Sequence, residues 1–395
     1  MRFSRGTVAV VVALSVVAAG CGSSKKATGG DGSACKNGKI TVGEARAETG
    51  DFAFFDMASA NGNQVAIDEV NAAGGLLGCQ LAVIHGDTKG DPALGGRIAE
   101  DLISKGAQLL FSPSDFDVGV GAAQAGEKAK LVGTSEASAI KMPDAVGPHF
   151  FAAGITDAGV GLGEAAFANE KGWKAAYAIT NEQYSVFTNI ETFFKSKFKG
   201  TVVARDVVAD TATDYAAVIS KIRDASTKPD VIFFNDYFPH AGTFIKQLRD
   251  AGIDTPVLGG SSYDSPQLPE VVGKTRMSQV YYLAPEIWEG KDADPAVAKI
   301  LAAYKTKFGA DPENNNFMEG YDSAKLMLDG VKAAGSLDAD KVAAAISAEV
   351  DVALPGATLT KWVDRHTQRT LVVIGFDAAG EFIKVSGPTD PEKGG

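Results

Sequence analysis

The chain has 395 residues, 45% of them hydrophobic, and a formal net charge of −11. That length exceeds what one hydrophobic core organises and suits two domains, and the apolar share excludes a disordered chain. The acidic balance is spread without long blocks, which argues against a nucleic-acid partner.

Arg2 and Arg5 precede an apolar run from Thr7 to Ala19, and small residues lead to Cys21. A basic start, a hydrophobic stretch and a small-residue end read as a secretory signal. The run is shorter than the ~20 residues a membrane span needs. Its ending, Val16-Val17-Ala18-Ala19-Gly20-Cys21, resembles the bacterial lipobox. That resemblance implies that residues 1–20 are removed and that Cys21 is lipidated as the mature N-terminus. Residues 21–35 are polar and rich in Gly, Ser and Lys, and read as a flexible tether. No second hydrophobic stretch is long enough to cross a bilayer.

Cys35 and Cys79 remain, each just before an expected strand, Ile40–Gly43 and Leu81–Ile84. If those strands are parallel neighbours, both cysteines sit at one edge of a sheet, and export permits a disulfide between them. Further along, short apolar strands alternate with helical segments, the pattern of a parallel α/β sheet. Strands are expected near 40–43, 81–86, 108–112 and 130–134, then near 175–180, 201–208, 230–235, 256–259 and 279–283. Asp91-Pro92 and Asp294-Pro295 each place an N-cap before a proline at the first helical position. Helices at about 295–308, 319–334 and 339–348 follow with no strand between them, and Thr370–Phe376 with Phe382–Val385 closes the chain as a hairpin.

Ligands of open parallel sheets bind at the carboxyl ends of the strands. Here those ends carry sudden polar clusters: Ser114-Asp115, Glu136 with Ser138, Tyr184, Asp236-Tyr237, and Ser261 with Asp264. They suit hydrogen bonding to a small polar ligand, although single Ser and Asp residues also cap helices there. Catalytic patterns are weak. His85, His149, His240 and His366 are scattered and read as surface or structural residues. Gly273-Lys274-Thr275 lacks the first glycine of a phosphate loop, and Tyr263 stands where a nucleophile elbow needs its second glycine. Neither an enzymatic activity, a cofactor nor a metal is expected.

Four stretches resemble the branched-chain amino-acid (leucine-isoleucine-valine) binding family of type I periplasmic binding proteins. They are Ala66–Gly75, Gly86–Pro92, Gln183-Tyr184 and Leu248–Gly252. The resemblance implies two doubly wound parallel-sheet lobes joined by three crossings near 152–154, 284–286 and 355–365. Residues 36–153 with 285–354 would form the first lobe, 154–284 with 355–388 the second, and 389–395 a tail. It also implies an ABC permease and ATPases as partners and a membrane contact through the lipid alone. Ser138 falls where the family holds the amino-acid head group, with Ser114 and Asp115 before it. Tyr237 and Tyr184 fall on cleft tyrosines, and Phe54 or Phe55 on a first-loop aromatic. Ser261 stands where amino-acid binders place a carboxylate for the ammonium group, and Asp236, Asp264 and Glu136 are the candidates to replace it. Without such an acid, the ligand would be an amide, a urea-like molecule or a carboxylate lacking an amine. Asp115 stands where uncharged residues are usual, with Arg46 as its candidate partner. The same cleft would also serve a sensing subunit.

Overall fold

The expected apolar runs pair as strands, and they do so in two separate sheets. The computed structural model describes residues 35–393. The expected signal peptide, Cys21 with its expected lipid, and the expected tether up to Ser33-Ala34 lie outside the described residues.

β1 (Lys39–Arg46), β2 (Gln80–Asp87), β3 (Leu109–Phe111), β4 (Val132–Ser135) and β5 (Phe150–Ala152) begin one sheet. After a first crossing, β6 (Ala175–Asn181), β7 (Thr201–Val208), β8 (Val231–Asn235), β9 (Val257–Gly259) and β10 (Val280–Ala284) build another. Helices Pro295–Phe308, Asn316–Ala334 and Ala339–Ser347 then return to the first lobe, followed by β11 (Val350–Leu354), β12 (Ala357–Val363) and β13 (His366–Arg369). β14 (Leu371–Phe376) and β15 (Phe382–Thr389) finish the second. The first sheet runs β11-β12-β13-β5-β4-β3-β1-β2, the second β15-β14-β10-β9-β8-β6-β7. Every residue of β3 to β6, β8 and β9 is buried, because helices cover both faces. Edge strands β2 and β7 are partly exposed.

Both sheets are parallel in their centres and antiparallel at one edge, so neither is wholly parallel. The larger departure from expectation concerns residues 355–369. β12 pairs with β13, and β13 joins β5 through His366 and Ala152, so this segment lies in the first sheet. The third crossing is therefore at Thr370, not at 355–365. Its hairpin turn is Asp364-Arg365, with φ of 46° and 67°. Such turns are normally marked by Asn-Gly or Asp-Gly, and an arginine gives no such signal. Nor do residues 390–392 trail as a tail. Asp390 accepts from Thr360 Oγ1 and Gln368 Nε2 at 2.8 and 2.9 Å, and Glu392 from Thr156 Oγ1 at 2.8 Å. The end of the second lobe is thus fastened to the first lobe and to the first crossing.

Local chemistry explains the Ala66–Gly75 stretch. Helix Ala53–Ala72 ends there, and the Asn71 side chain pairs with both backbone groups of Leu81, at 2.7 and 3.0 Å. Gly75 has φ of 85°, and a Cβ on it would lie 2.1 Å from the Cys79 carbonyl oxygen. The turn is thereby locked against the start of β2. At its other contact the same helix meets Asn316–Ala334 backbone to backbone. A Cβ on Gly62 would lie 1.8 Å from the Phe317 oxygen, so this crossing also requires glycine.

Cys35 and Cys79 are bonded, with Cα atoms 5.7 Å apart, within disulfide range. They precede β1 and β2, which pair in parallel from Lys39↔Gln80 to Arg46↔Asp87. The bond therefore lies at the amino ends of these strands. Loop-closure entropy for a separation of 44 residues corresponds to ~4 kcal/mol. Replacing both cysteines by serine is expected to lower the urea midpoint accordingly while leaving ligand affinity intact. An unchanged midpoint would count against this role.

Candidate ligand-binding cleft

The carboxyl ends of both sheets face a shared cleft of about 670 Å³, counting the part continuous with solvent. Its polar side is built mainly by the first lobe, from Ser114, Asp115, Glu136, Ser138, Asn316 and Glu319. The second lobe adds Asn235, Tyr237, Ser261 and Ser262. Val160, Val186, Phe187 and Ile190 from its first two helices form an apolar wall, together with Ile155 of the crossing and Phe52 and Phe55 of the first lobe.

Arg46 organises the floor. Its Nη1 and Nη2 donate to Glu136 at 2.6 and 3.1 Å, and its Nε to Glu44 at 3.2 Å. Arg46 and Glu136 are both buried. The expected pairing of Arg46 with Asp115 does not form, because Glu136 and Glu44 occupy the guanidinium. Asp56 accepts from the Ser114 backbone and hydroxyl at 2.8 and 2.6 Å, fixing the loop after β3.

Asp115 has two structural tasks. One oxygen caps helix Phe116–Lys128 through Asp117 N at 2.7 Å; the other accepts from the Tyr237 hydroxyl at 3.0 Å, across the two lobes. Ser185 donates to Asp117 from N and Oγ at 3.2 and 3.1 Å, a second bond between lobes. Around them Tyr237 packs against Phe52, Phe55, Tyr184 and Phe187, with ring centroids 4.8–5.9 Å apart.

Six of the expected residues line the cleft: Ser114, Asp115, Glu136, Ser138, Tyr237 and Ser261. Four do not. Asp264 is buried beneath it and accepts from Tyr282 and Trp288 at 2.9 and 3.0 Å. Asp236 accepts from Asn181 and from Tyr237 N at 3.1 and 2.8 Å. With Asp210 and His240 it forms a group whose ligand atoms lie within 4.8 Å; the Asp236 carboxylate, 3.5 Å from His240 Nδ1, raises the His240 pKa, making it the natural counter-charge. Tyr184 packs edge-on against the ring of Tyr237, and Phe54 stacks on Phe238. Asn235, which precedes Asp236 at the same strand end, also lines the cleft; Asn316 and Glu319 lie outside the strand-end clusters. Glu319 had one signal, a lone acid within the otherwise apolar Phe317-Met318-Glu319-Gly320-Tyr321 of a buried helix.

Burial governs the titration of these acids. It pushes Asp115 up to about 6, Glu44 and Glu319 to about 7, and Glu164 to about 8. Glu164 sits behind the cleft wall, where its Oε1 accepts from Asn235 at 3.0 Å. Ordinary values are 3.8 for Asp and 4.5 for Glu. Between the ordinary and the raised values, the folded chain keeps protons that the unfolded chain has lost, so stability falls as pH rises. The contribution is complete below the ordinary values, is lost progressively above them, and is gone once the pH has passed the raised values of about 6 to about 8. The melting temperature is expected to be higher near pH ~5.5 than near pH ~8.5. Glu164→Gln keeps the bond from Asn235 and removes one ionisation. It is expected to raise the melting temperature at the alkaline pH and to change it little at the acid one. Equal changes at both would rule out Glu164 as a titrating group.

A profile of the periplasmic binding protein family matches residues 39–381. The Leu/Ile/Val-binding protein BraC3 of Rhizobium johnstonii is 25% identical over 320 residues, covering 78% of this chain and 83% of that protein. Among solved structures, LivJ of Streptococcus pneumoniae in complex with isoleucine superposes with a TM-score of 0.77 at 22% identity, over 88% of this chain and 99% of that one. A solute-binding protein of an ABC transporter from Rhodopseudomonas palustris, in complex with 3,4-dihydroxybenzoic acid, gives 0.77 at 21%, over 90% and 99%. At these identities the solved structures speak for the fold alone, and their two ligands are chemically unlike. The profile match and the two-lobed fold bear out the resemblance read from Ala66–Gly75 and its companions: this chain belongs to the periplasmic binding protein family.

Proposed function

We propose that this chain is the extracytoplasmic receptor of an ABC importer and binds an amino acid with an apolar side chain, or a related small polar molecule, between its lobes. The observation that carries the reading is a cleft whose polar side comes mainly from the first lobe and whose apolar wall comes mainly from the second. Ser114, Ser138 and Ser261 would hold the polar head, and the side chain would lie against Val186, Phe187 and Ile190. Helix Phe116–Lys128 starts at the cleft, and its dipole favours a carboxylate there. A ligand touching both lobes stabilises their approach and so biases a hinge equilibrium. The closed receptor would then dock on a permease driven by ATPases.

Lipid on Cys21 would keep the receptor beside that permease while the cleft is empty. One acyl chain binds membranes weakly, so two or more are expected.

A thermal-shift panel of amino acids, amides and small carboxylates tests the ligand class. A ligand at ~100 times its dissociation constant adds about 2.7 kcal/mol, and no shift with any of them would sink the assignment. Tyr237→Phe removes the hydroxyl but keeps the ring among its four aromatic neighbours. It is expected to weaken ligand binding with little loss of ligand-free stability; an equal loss in both would make Tyr237 a core residue. Cys21→Ser is expected to move the protein from the membrane fraction to the soluble exported fraction. Retention in the membrane would refute the anchor.

A further inference from the structure

The cleft has an unbalanced charge. Asp115, Glu136 and Glu319 line it, and no Lys, Arg or His does. Two of these acids are already committed. Asp115 caps a helix with one oxygen and takes the Tyr237 hydroxyl with the other. Glu136 gives both oxygens to Arg46.

Glu319 differs. It is 5% exposed, and its Oε2 accepts one long bond, 3.4 Å, from Ile155 N. Its Oε1 accepts no hydrogen bond among the described residues. On the second lobe, Asn235 is 1% exposed and its Oδ1 also lacks a partner. A buried acceptor without a donor, such as Asn235 Oδ1, is costly, and both residues line the cleft. A ligand rich in donors would satisfy them.

We propose that Glu319 anchors a positively charged, hydrogen-donating group of the ligand, an ammonium or amidinium, and thereby selects against ligands that carry only a carboxylate. This rests on the reading of the cleft as a receptor site. Glu319 supplies from the first lobe the carboxylate that was expected at the position of Ser261. It lies in the first turn of helix Asn316–Ala334, where the helix dipole favours an anion. Glu136, Asp264, Glu286, Asp322 and Arg369 are the charged groups around it, and Arg369 is held by Asp322 at 2.6 Å. Burial keeps the carboxyl at about 7, so an arriving cation displaces a proton from part of the population. Because Ile155 belongs to the first crossing, Glu319 also carries ligand occupancy into the hinge.

Calorimetry with four probes tests this: L-leucine, its analogue without the amine (4-methylpentanoate), its analogue without the carboxylate (3-methylbutylamine) and benzoate. Wild-type protein is expected to bind leucine roughly 30-fold or more tightly than 4-methylpentanoate or benzoate. Near neutral pH, leucine binding should release protons, read from buffers of different ionisation enthalpy. Glu319→Gln should weaken leucine by a similar factor, leave 4-methylpentanoate unweakened and abolish the proton release. If 4-methylpentanoate or benzoate binds wild type as tightly as leucine, the role of Glu319 is overturned while the receptor reading stands. Binding of 3-methylbutylamine without leucine supports Glu319 and overturns the amino-acid reading. Binding of no probe overturns both. Should Glu319→Gln fail to fold, the wild-type series and its proton release decide the matter alone.

Discussion

Arg46 is the interaction on which the cleft depends. It lies at the end of β1, and its guanidinium reaches past β3 to Glu136, just beyond β4. One side chain therefore sets the spacing of three strand ends that carry the polar side of the cleft. Breaking such a buried pair by removing one partner typically costs 3–5 kcal/mol, about what an uncompensated buried charge demands. The pairing also has a functional consequence. With its guanidinium held by Glu136 and Glu44, Arg46 has no donor directed at a ligand, and the cleft remains acidic.

A second arginine does comparable work at the hinge. Arg369 ends β13 immediately before the third crossing and binds Asp322 at 2.6 Å, with Glu286 of the second crossing 3.8 Å away. One cation cannot neutralise two buried carboxylates, and burial pushes Glu286 well above its ordinary value. The cluster therefore holds an Arg369–Asp322 pair, beside which burial favours the neutral form of Glu286. Glu319 stands one helical turn before Asp322 and touches the first crossing through Ile155. Groups from all three crossings, or adjoining them, thus share one buried polar network that reaches the cleft.

Much of this could be read from the chain because parallel strands buried on both faces leave apolar runs, and the caps at Asp91 and Asp294 form as expected. What escaped was chemistry without a local signature. The β12–β13 hairpin turns on Asp364-Arg365, and β11 is largely exposed, so neither a turn motif nor an apolar run marks them. At the site, strand-end polarity correctly pointed to the cleft but not to the direction of each side chain. Asp236 follows β8 directly and Asp264 lies in the same loop as Ser261, yet Tyr282 and Trp288 claim Asp264, and Asn181 and the Tyr237 amide claim Asp236. Glu319 comes from a helix remote in sequence, brought to the cleft by the glycine contact between helices. No strand-end rule would select it.

The bonds that Asp390 accepts from Thr360 and Gln368 tie it to β12 and β13, next to the third crossing. In any rotation, displacement grows with distance from the axis. A swing wide enough to part Tyr237 from Asp115 at the mouth would move Asp390 far less. Under the proposed hinge motion these bonds would persist as a pivot, while the Tyr237–Asp115 and Ser185–Asp117 bonds between the lobes would act as a latch. The barrier to admitting a ligand would then be set at that latch rather than at the crossings.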